Sequence, residues 1–340
     1  MVDVRSLALT AAWAIGRLSG GGMPPAFISG SPRSGTTWVL EVLEHMTDAR
    51  RHWEPINYYL YDLDYDRVDD AMGWMRPNSE HLDGGGPMAA EIRRVLAGGA
   101  PRRPVMARVR SLGSRRSLQR IASAPATLIK FVFLQRALDW VARETVNEGV
   151  VLLRNPLAVV ASQLNHPFTQ EGVAKQHPQW TDEVIAKAHP IVSPADLSTW
   201  PHLANLLKRE LSREERIAVT ACLDIAVPLA SEHARSRFAF ASYEGLVASP
   251  ESFGRLAASV GLKVRRLPRD VVDKPSRTTA GDSNVLSERD PRLSWKSRLS
   301  EEATDQVLAI MRGFDLHMYS TSPDIDLSAL KSFGLRRLIV

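Results

Sequence analysis

Cysteine is nearly missing from this chain of 340 residues, whose one thiol is Cys222. An intrachain disulfide therefore cannot form, which is usual for proteins of a reducing compartment. Cysteine and histidine also show no spacing typical of a zinc site. We interpret Cys222 as a small core residue, predict a cytoplasmic location and predict no bound metal.

Long apolar runs are missing as well. Nothing in the sequence approaches the roughly 18 consecutive apolar residues that indicate a membrane-spanning helix, and the apolar stretch at 7–15 is too short for one. No clear cleavage site follows that stretch, so we do not predict a signal peptide. We predict that residues 1–22 form a helical N-terminal segment, and we do not favour membrane association through it.

Acidic residues are absent from 92–138, a stretch in which basic residues recur from Arg93 to Arg136. The formal net charge of the chain is +5, and this stretch concentrates the basic excess. Two interpretations stay open: a solvated basic surface, or a field that attracts an anionic ligand. Nucleic acid is not a predicted partner, because aromatic residues do not alternate with the basic ones and no binding motif accompanies them.

Short apolar runs alternate with helical periods along most of the chain. Strands are predicted at 26–29, 127–134, 150–153 and 238–242, and helices at 36–46, 137–147, 156–165, 214–233, from about 250, and at 301–314. The proline-containing region 166–205 is predicted to be an irregular insertion, and 265–295 a long basic loop. The alternation predicts an α/β fold with a central parallel sheet flanked by helices.

The first predicted strand runs directly into a glycine-bounded loop, Gly30-Ser-Pro-Arg-Ser-Gly-Thr-Thr37. Its two glycines have the spacing of a phosphate-binding P-loop, but Thr36 occupies the place of the P-loop lysine. Successive amides of such a loop, and the N-terminus of the helix that follows, point at an anion. The loop carries its positive charge at Arg33, and an arginine without a metal suits a sulfuryl group, which is less charged than a phosphoryl group.

Two motifs identify a resemblance. Ser31-Pro-Arg-Ser-Gly-Thr-Thr-Trp38 resembles the 5′-phosphosulfate loop of sulfotransferases that use 3′-phosphoadenosine 5′-phosphosulfate (PAPS), and arginine at position 33 is similar to the bacterial and Golgi branches. The segment 151–162 resembles the 3′-phosphate motif of the same family. There an arginine at a strand end, here Arg154, and a serine in the next helix, here Ser162, hold the 3′-phosphate; an arginine fork suits that group.

Weaker similarities extend over about 25–315. Tyr243 lies in a segment that resembles the family's adenine-contacting tyrosine segment, and Trp38 is similar to the tryptophan on the other side of that base. Trp295-Lys296 resembles the end of the family's C-terminal phosphate-binding loop, although the usual glycines are out of register, so Arg277 and Lys296 are candidate PAPS contacts. The resemblance implies a P-loop-like sulfotransferase domain at 23–320, followed by a tail at 321–340.

A general base has to take the proton of the acceptor hydroxyl. The resemblance implies a glutamate at the end of the second strand, and Glu54, followed by Pro55, fits that place. His52 is the nearest rival and His166 a more distant one. Lys130, on a predicted central strand, either lines the acceptor side or forms a structural ion pair.

The predicted activity is therefore transfer of a sulfuryl group from PAPS to an acceptor hydroxyl without a metal. Predicted PAPS contacts are Arg33, Ser34, Gly35, Thr36, Thr37, Trp38, Arg154, Ser162, Tyr243, Arg277 and Lys296, and Glu54 and Arg33 are the predicted catalytic residues. The acceptor is a carbohydrate, a lipid-linked molecule or a small natural product, and region 166–205 is a candidate for its site. Two alternatives stay open: a P-loop kinase-like phosphotransferase, and a non-catalytic polyanion-binding protein that uses the basic stretch.

Overall fold

A computed structural model describes residues 24–56, 77–99, 122–164, 192–267 and 290–340, with short pieces at 11–12, 14–15, 119 and 269–272. Within these ranges six strands form one sheet in the order β2-β3-β1-β4-β5-β6, and all neighbouring strands are parallel. The strands are β1 (Ala26–Ser29), β2 (Arg50–Trp53), β3 (Thr127–Phe131), β4 (Gly149–Leu153), β5 (Ala239–Ser242) and β6 (Arg337–Ile339). The predicted α/β class with a parallel central sheet is confirmed.

Helices pack on both faces of the sheet. They are α1 (Thr36–Thr47), α2 (Ser79–Asp83), α3 (Gly86–Leu96), α4 (Leu138–Glu144), α5 (Pro156–Leu164), α6 (Pro194–Thr199), α7 (His202–Leu206), α8 (Arg213–Ala230), α9 (Glu232–Arg237), α10 (Tyr243–Ala248), α11 (Ser252–Ser259), α12 (Arg269–Val272), α13 (Glu301–Gly313) and α14 (Leu327–Lys331). No helix in the described ranges has both the length and the apolar content to cross a membrane.

The core consists of two apolar layers, one on each face of the sheet. Successive side chains of a strand point to opposite faces, so Ile28 packs under α1, α10 and α11 while Phe27 packs on the other layer. The Phe27 ring meets Phe238 edge to face at a centroid distance of 5.1 Å. That ring also covers Gly149, where an added Cβ would lie 2.1 Å from it, so the start of β4 needs a glycine.

The helix predicted at 214–233 is two helices. The residue between them, Ser231, has extended backbone angles, ends α8 and caps α9 by accepting a hydrogen bond from the Ala234 amide. A hydroxyl that caps the next turn competes with helix continuation. The strand predicted at 127–134 is also shorter and ends at Phe131, and the helix predicted at 137–147 spans Leu138–Glu144.

Three regions outside the predicted elements turn out differently. Of the predicted insertion 166–205, the described part from 192 contains α6 and α7, and α6 begins with a capping box between Ser193 and Asp196. Of the predicted basic loop 265–295, described pieces form α12 and a single 3₁₀ turn at Pro291–Leu293. The predicted tail 321–340 belongs to the fold, because it supplies α14 and the edge strand β6 beside β5. The N-terminal segment 1–22 lies almost entirely outside the described residues.

The carboxyl ends of the parallel strands bring distant residues to one edge of the sheet. Gly30 follows β1, Glu54 follows β2, Arg154 follows β4 and Tyr243 follows β5. Strand order also reverses at β1, which lies between β3 and β4. Open α/β sheets bind ligands in the crevice at such a reversal, outside the carboxyl ends of the strands.

Candidate functional site

The loop between β1 and α1 is tightly curled. Arg33 has φ 71° and Gly35 has φ 95°, both in the left-handed region, and the Ser34 amide donates to the Ser31 carbonyl at 2.9 Å. A Cβ at Gly30 would lie 2.9 Å from the backbone carbonyl oxygen of Leu152, so the first glycine of the motif is required. The loop therefore makes a tight turn directly before a helix. Backbone amides need such a turn if they are to converge on an anion.

The N-terminus of α1 carries no competing acceptor. Gly35 is its N-cap residue, no side chain caps the first turn, and that turn contains no acidic residue. Ser34 is buried, and its hydroxyl has no hydrogen-bond partner within the described residues. The amides and this hydroxyl are thus suited to an anionic ligand at the positive end of the helix dipole.

The two family-like motifs meet at Arg33. The Arg33 Nε donates to Ser162 Oγ at 3.1 Å, and Arg154 Nη1 donates to the Arg33 carbonyl at 2.7 Å. The buried Nε of Arg154 has no hydrogen-bond partner in the described part of the chain. The structure thus brings these predicted residues together, while their joint contact with a 3′-phosphate stays a prediction.

Positive charge accumulates around the loop. Burial, together with the nearby charges of Arg154 and Arg298, lowers the pKa of Arg33 to about 10. Placing like charges together in a partly buried site is unfavourable until an anion joins them. Sequence reasoning missed Arg298, although it lies only two residues beyond Lys296 in the segment that had been singled out.

The C-terminal contacts are only partly described. Lys296 is exposed, and its Nζ lies 5.7 Å from the centroid of the Trp295 ring. Arg277 lies outside the described residues, so its predicted contact with PAPS has no structural counterpart here. Arg298 is the basic side chain of this segment whose charge lowers the pKa of Arg33.

Trp38 and Tyr243, the two rings predicted to lie on either side of the adenine, leave no room for a base between them in this conformation. Trp38 and Tyr243 touch edge to face at a centroid distance of 5.5 Å. The Tyr243 ring also lies against the loop, since a Cβ at Gly35 would be 2.5 Å from Tyr243 Cδ2, and the Arg154 guanidinium lies 4.2 Å from its centroid. A base stacked between the two aromatic rings requires them to separate, so the predicted sandwich is not preformed.

Glu54 occupies the predicted position directly after β2. It has φ 41°, its amide donates to the Lys130 carbonyl at 3.0 Å, and its carboxylate contacts the Lys130 ammonium. The same ammonium donates to Thr37 Oγ1 at 2.9 Å and lies 4.1 Å from the Trp53 ring centroid. Lys130 therefore forms an ion pair, as one of the two interpretations had it, and this pair connects the candidate base to the helix that follows the loop.

His52 is poorly placed to act as the base. It is buried, and burial, together with the charges of Arg94 and Arg50, lowers its pKa to about 3. A histidine buried in that way is neutral near pH 7 and out of reach of an acceptor in solvent. His166 lies outside the described residues.

No protein-family model matches this chain, and a search of the curated proteins finds no match to it. In the described ranges no group of three or more His, Cys, Asp or Glu side chains could hold a metal ion. Fold and site together define a class of protein. It is a parallel α/β protein in which a loop surrounded by arginine side chains leads into the N-terminus of a helix at the carboxyl edge of the sheet.

Proposed function

We propose that this protein is a PAPS-dependent sulfotransferase with a P-loop-like fold, and that it moves a sulfuryl group from PAPS to an acceptor hydroxyl. The observation that carries the proposal is the pair of hydrogen bonds that join Arg33 of the curled loop to Arg154 and Ser162. The helix after this loop has no capping side chain, and the charge of Arg298 adds to those of Arg33 and Arg154. A donor with two separate anionic groups, a 3′-phosphate and a 5′-phosphosulfate, matches a cluster of several cations better than a single phosphate does.

In the proposed reaction the acceptor oxygen forms a bond to sulfur while the bond from sulfur to the bridging oxygen of the donor breaks. The electron pair of the breaking bond stays on the 5′-phosphate. Arg33 and the loop amides stabilise the charge that grows there, because they are held in place before the reaction begins. Glu54 accepts the proton that the acceptor hydroxyl loses.

Lys130 has two consequences for this scheme. Its ammonium offsets the charge of Glu54, which would otherwise repel an anionic donor from the same edge of the sheet. Through Thr37 it also ties the base to α1, so the base and the donor loop keep a constant spacing. Enzymes owe a large part of their rate enhancement to holding the reacting groups at a constant spacing.

The acceptor is constrained only by charge. The stretch 92–138 lacks acidic residues and favours an anionic or sugar-like acceptor over a flat phenol. Within that stretch Arg94 is engaged by Glu91 at 2.6 Å and Arg136 by Asp196 at 3.4 Å. These two cations are therefore part of the framework rather than of an acceptor surface.

The decisive experiment offers the protein isotopically labelled PAPS with a panel of carbohydrate, lipid-linked and small-molecule hydroxyl acceptors. We expect labelled sulfate in at least one acceptor by mass spectrometry, and binding of 3′-phosphoadenosine 5′-phosphate by calorimetry. Turnover that requires ATP and Mg²⁺ would show a kinase-like phosphotransferase instead. Binding of polyanions without any nucleotide binding would show a non-catalytic protein.

A further inference from the structure

Three consecutive residues of the loop are each held from outside it. Ser31 Oγ donates to Asp224 Oδ2 at 2.5 Å, Gln163 Nε2 donates to the Pro32 carbonyl at 2.9 Å, and Arg154 donates to the Arg33 carbonyl. The three outside groups come from α8, from α5 and from the end of β4. Only Arg154 belongs to the motifs that resemble a known family.

The direction of these bonds matters for an anion. In a peptide unit the carbonyl and the amide point in opposite directions, so a carbonyl turned away from the concave side leaves the next amide turned towards it. Gln163 donates a hydrogen bond to the Pro32 carbonyl, and Arg154 donates one to the Arg33 carbonyl. The Arg33 amide follows the Pro32 carbonyl, and its orientation is thus set before any ligand arrives. The Ser34 amide, which follows the Arg33 carbonyl, donates to the Ser31 carbonyl and keeps the loop curled.

Asp224 connects the start of the loop to a buried charge network. Its carboxylate is 1% exposed and lies 3.5 Å from Arg136 Nε, and Arg136 in turn lies 3.4 Å from Asp196. A hydroxyl that donates to a buried carboxylate makes a short, strong hydrogen bond. Ser31 is therefore anchored to the middle of α8, the longest described helix, and not to a flexible surface group.

We infer that Gln163 and Asp224 are positioning residues that preorganise the anion-binding loop, Gln163 through the Pro32 carbonyl and Asp224 through the Ser31 hydroxyl. Neither residue needs to touch the ligand. Without them the loop amides sample several directions, and part of the binding free energy is used to order them. The inference rests on the proposed function where the ligand is the sulfate donor, and on the loop geometry alone where the ligand is a simple anion.

The test compares Gln163→Met, which keeps the length of the side chain but removes its donor, with Ser31→Ala and Ser31→Thr. Calorimetry measures the binding of 3′-phosphoadenosine 5′-phosphate and, separately, of inorganic sulfate at millimolar concentration and constant ionic strength. Titration is used for sulfate because sulfate raises the unfolding temperature of proteins without a specific site. Gln163→Met and Ser31→Ala should bind both anions about 5- to 20-fold more weakly, the effect of one lost hydrogen bond. Ser31→Thr keeps the hydroxyl and should restore the affinity.

Two further measurements separate positioning from a general loss of structure. In a transfer assay the KM for the donor should rise while the KM for the acceptor stays the same. The control Thr220→Ala removes a hydroxyl bond within α8, to the Arg216 carbonyl, one turn before Asp224, and it should leave both anion affinities unchanged. Asp224→Asn combined with Ser31→Ala should lose less anion affinity than the two single losses added together, because both changes affect the same contact, although Asp224→Asn also removes the charge beside Arg136.

The outcomes are distinct. If Gln163→Met and Ser31→Ala bind both anions as tightly as the native chain does, the inference is wrong. If the native chain binds sulfate but not the nucleotide, and the variants still lose sulfate affinity, the proposed function is wrong and the inference stands. If the native chain binds neither anion, both are wrong.

Discussion

The Lys130 ammonium lies against the Glu54 carboxylate at the carboxyl edge of the sheet. The register of β2 and β3 pairs Trp53 with Lys130, which brings the next residue, Glu54, to the lysine. The lysine side chain is 4% exposed and the glutamate 18%. Each of these two charges is thus compensated by the other.

Glu54→Gln should abolish most turnover and leave donor binding nearly intact. The amide has almost the same shape but cannot take up a proton, and a positioned base contributes about 10²- to 10⁴-fold to a rate. The measurement compares kcat with the affinity for 3′-phosphoadenosine 5′-phosphate, which we expect to change little. Glu44→Gln is the matched control, since that glutamate in α1 pairs with Arg51 at 3.1 Å. Equal loss of turnover in both variants would show that Glu54 is not the base.

Lys130 and Glu54 should be energetically coupled in the folded state. Lys130→Met leaves the carboxylate without its counter-charge, and removal of one partner of a buried pair costs about 3–5 kcal/mol, less here because Glu54 is partly exposed. Urea unfolding of Lys130→Met, Glu54→Gln and the double variant should give a coupling free energy above about 1 kcal/mol. The exposed pair Arg143 and Asp83, at 2.9 Å, should show much less. Additive losses at Lys130 and Glu54 would contradict the pairing.

His52 should make the native chain sensitive to acid without taking part in the reaction. Its pKa is lowered to about 3, against 6.5 for an ordinary histidine, so the unfolded chain binds the proton more readily. The stability that comes from this group is complete above about pH 6.5 and falls as the pH drops towards 3. His52→Asn should lose less unfolding temperature between pH 7 and pH 5 than the native chain, and it should keep the turnover that Glu54→Gln loses. An unchanged acid sensitivity would show that His52 titrates normally.

Tyr243 should contribute more to nucleotide binding than to binding of a simple anion. Its ring contacts Trp38 and has to move before a base can stack there. Stacking of a base on an aromatic ring contributes about 1–3 kcal/mol, so Tyr243→Ala should weaken the binding of 3′-phosphoadenosine 5′-phosphate by about tenfold. Sulfate binding should weaken less, because only the packing of the ring on Gly35 and Arg154 is lost for that ligand. Tyr243→Phe keeps the ring and serves as the control. Tighter nucleotide binding by Tyr243→Ala would show that the ring only blocks the pocket.

The order of strand, loop and helix around Gly30 could be predicted from residues close together in the chain. A buried apolar run, two glycines at loop spacing and a helical period in 36–46 each report a local preference. The start of α5 at Pro156 was predicted in the same way, and the structure confirms it. The resemblance, and not a local pattern, implied a glutamate at the end of a second strand, and Glu54 directly follows β2.

Short or interrupted elements could not be predicted so well. Three residues, Arg337–Ile339, carry too little periodicity to indicate a strand, and they form one because the edge of β5 is available to pair with them. The break at Ser231 between α8 and α9 is likewise decided by a cap that competes with a continuous helical pattern. In both cases the local preference is weak and the surroundings decide.

Local sequence was sufficient for the class of fold and for the order of strand, loop and helix around Gly30, because strand, turn and helix preferences act over a few residues. Only the tertiary structure joined Ser31 to Asp224, Pro32 to Gln163 and Lys130 to Glu54, pairs that lie 76 to 193 positions apart. It also added Arg298 to the cations around Arg33. Such contacts depend on which strand ends meet at one edge of the sheet, and strand order and register decide that rather than the neighbours of each residue in the chain.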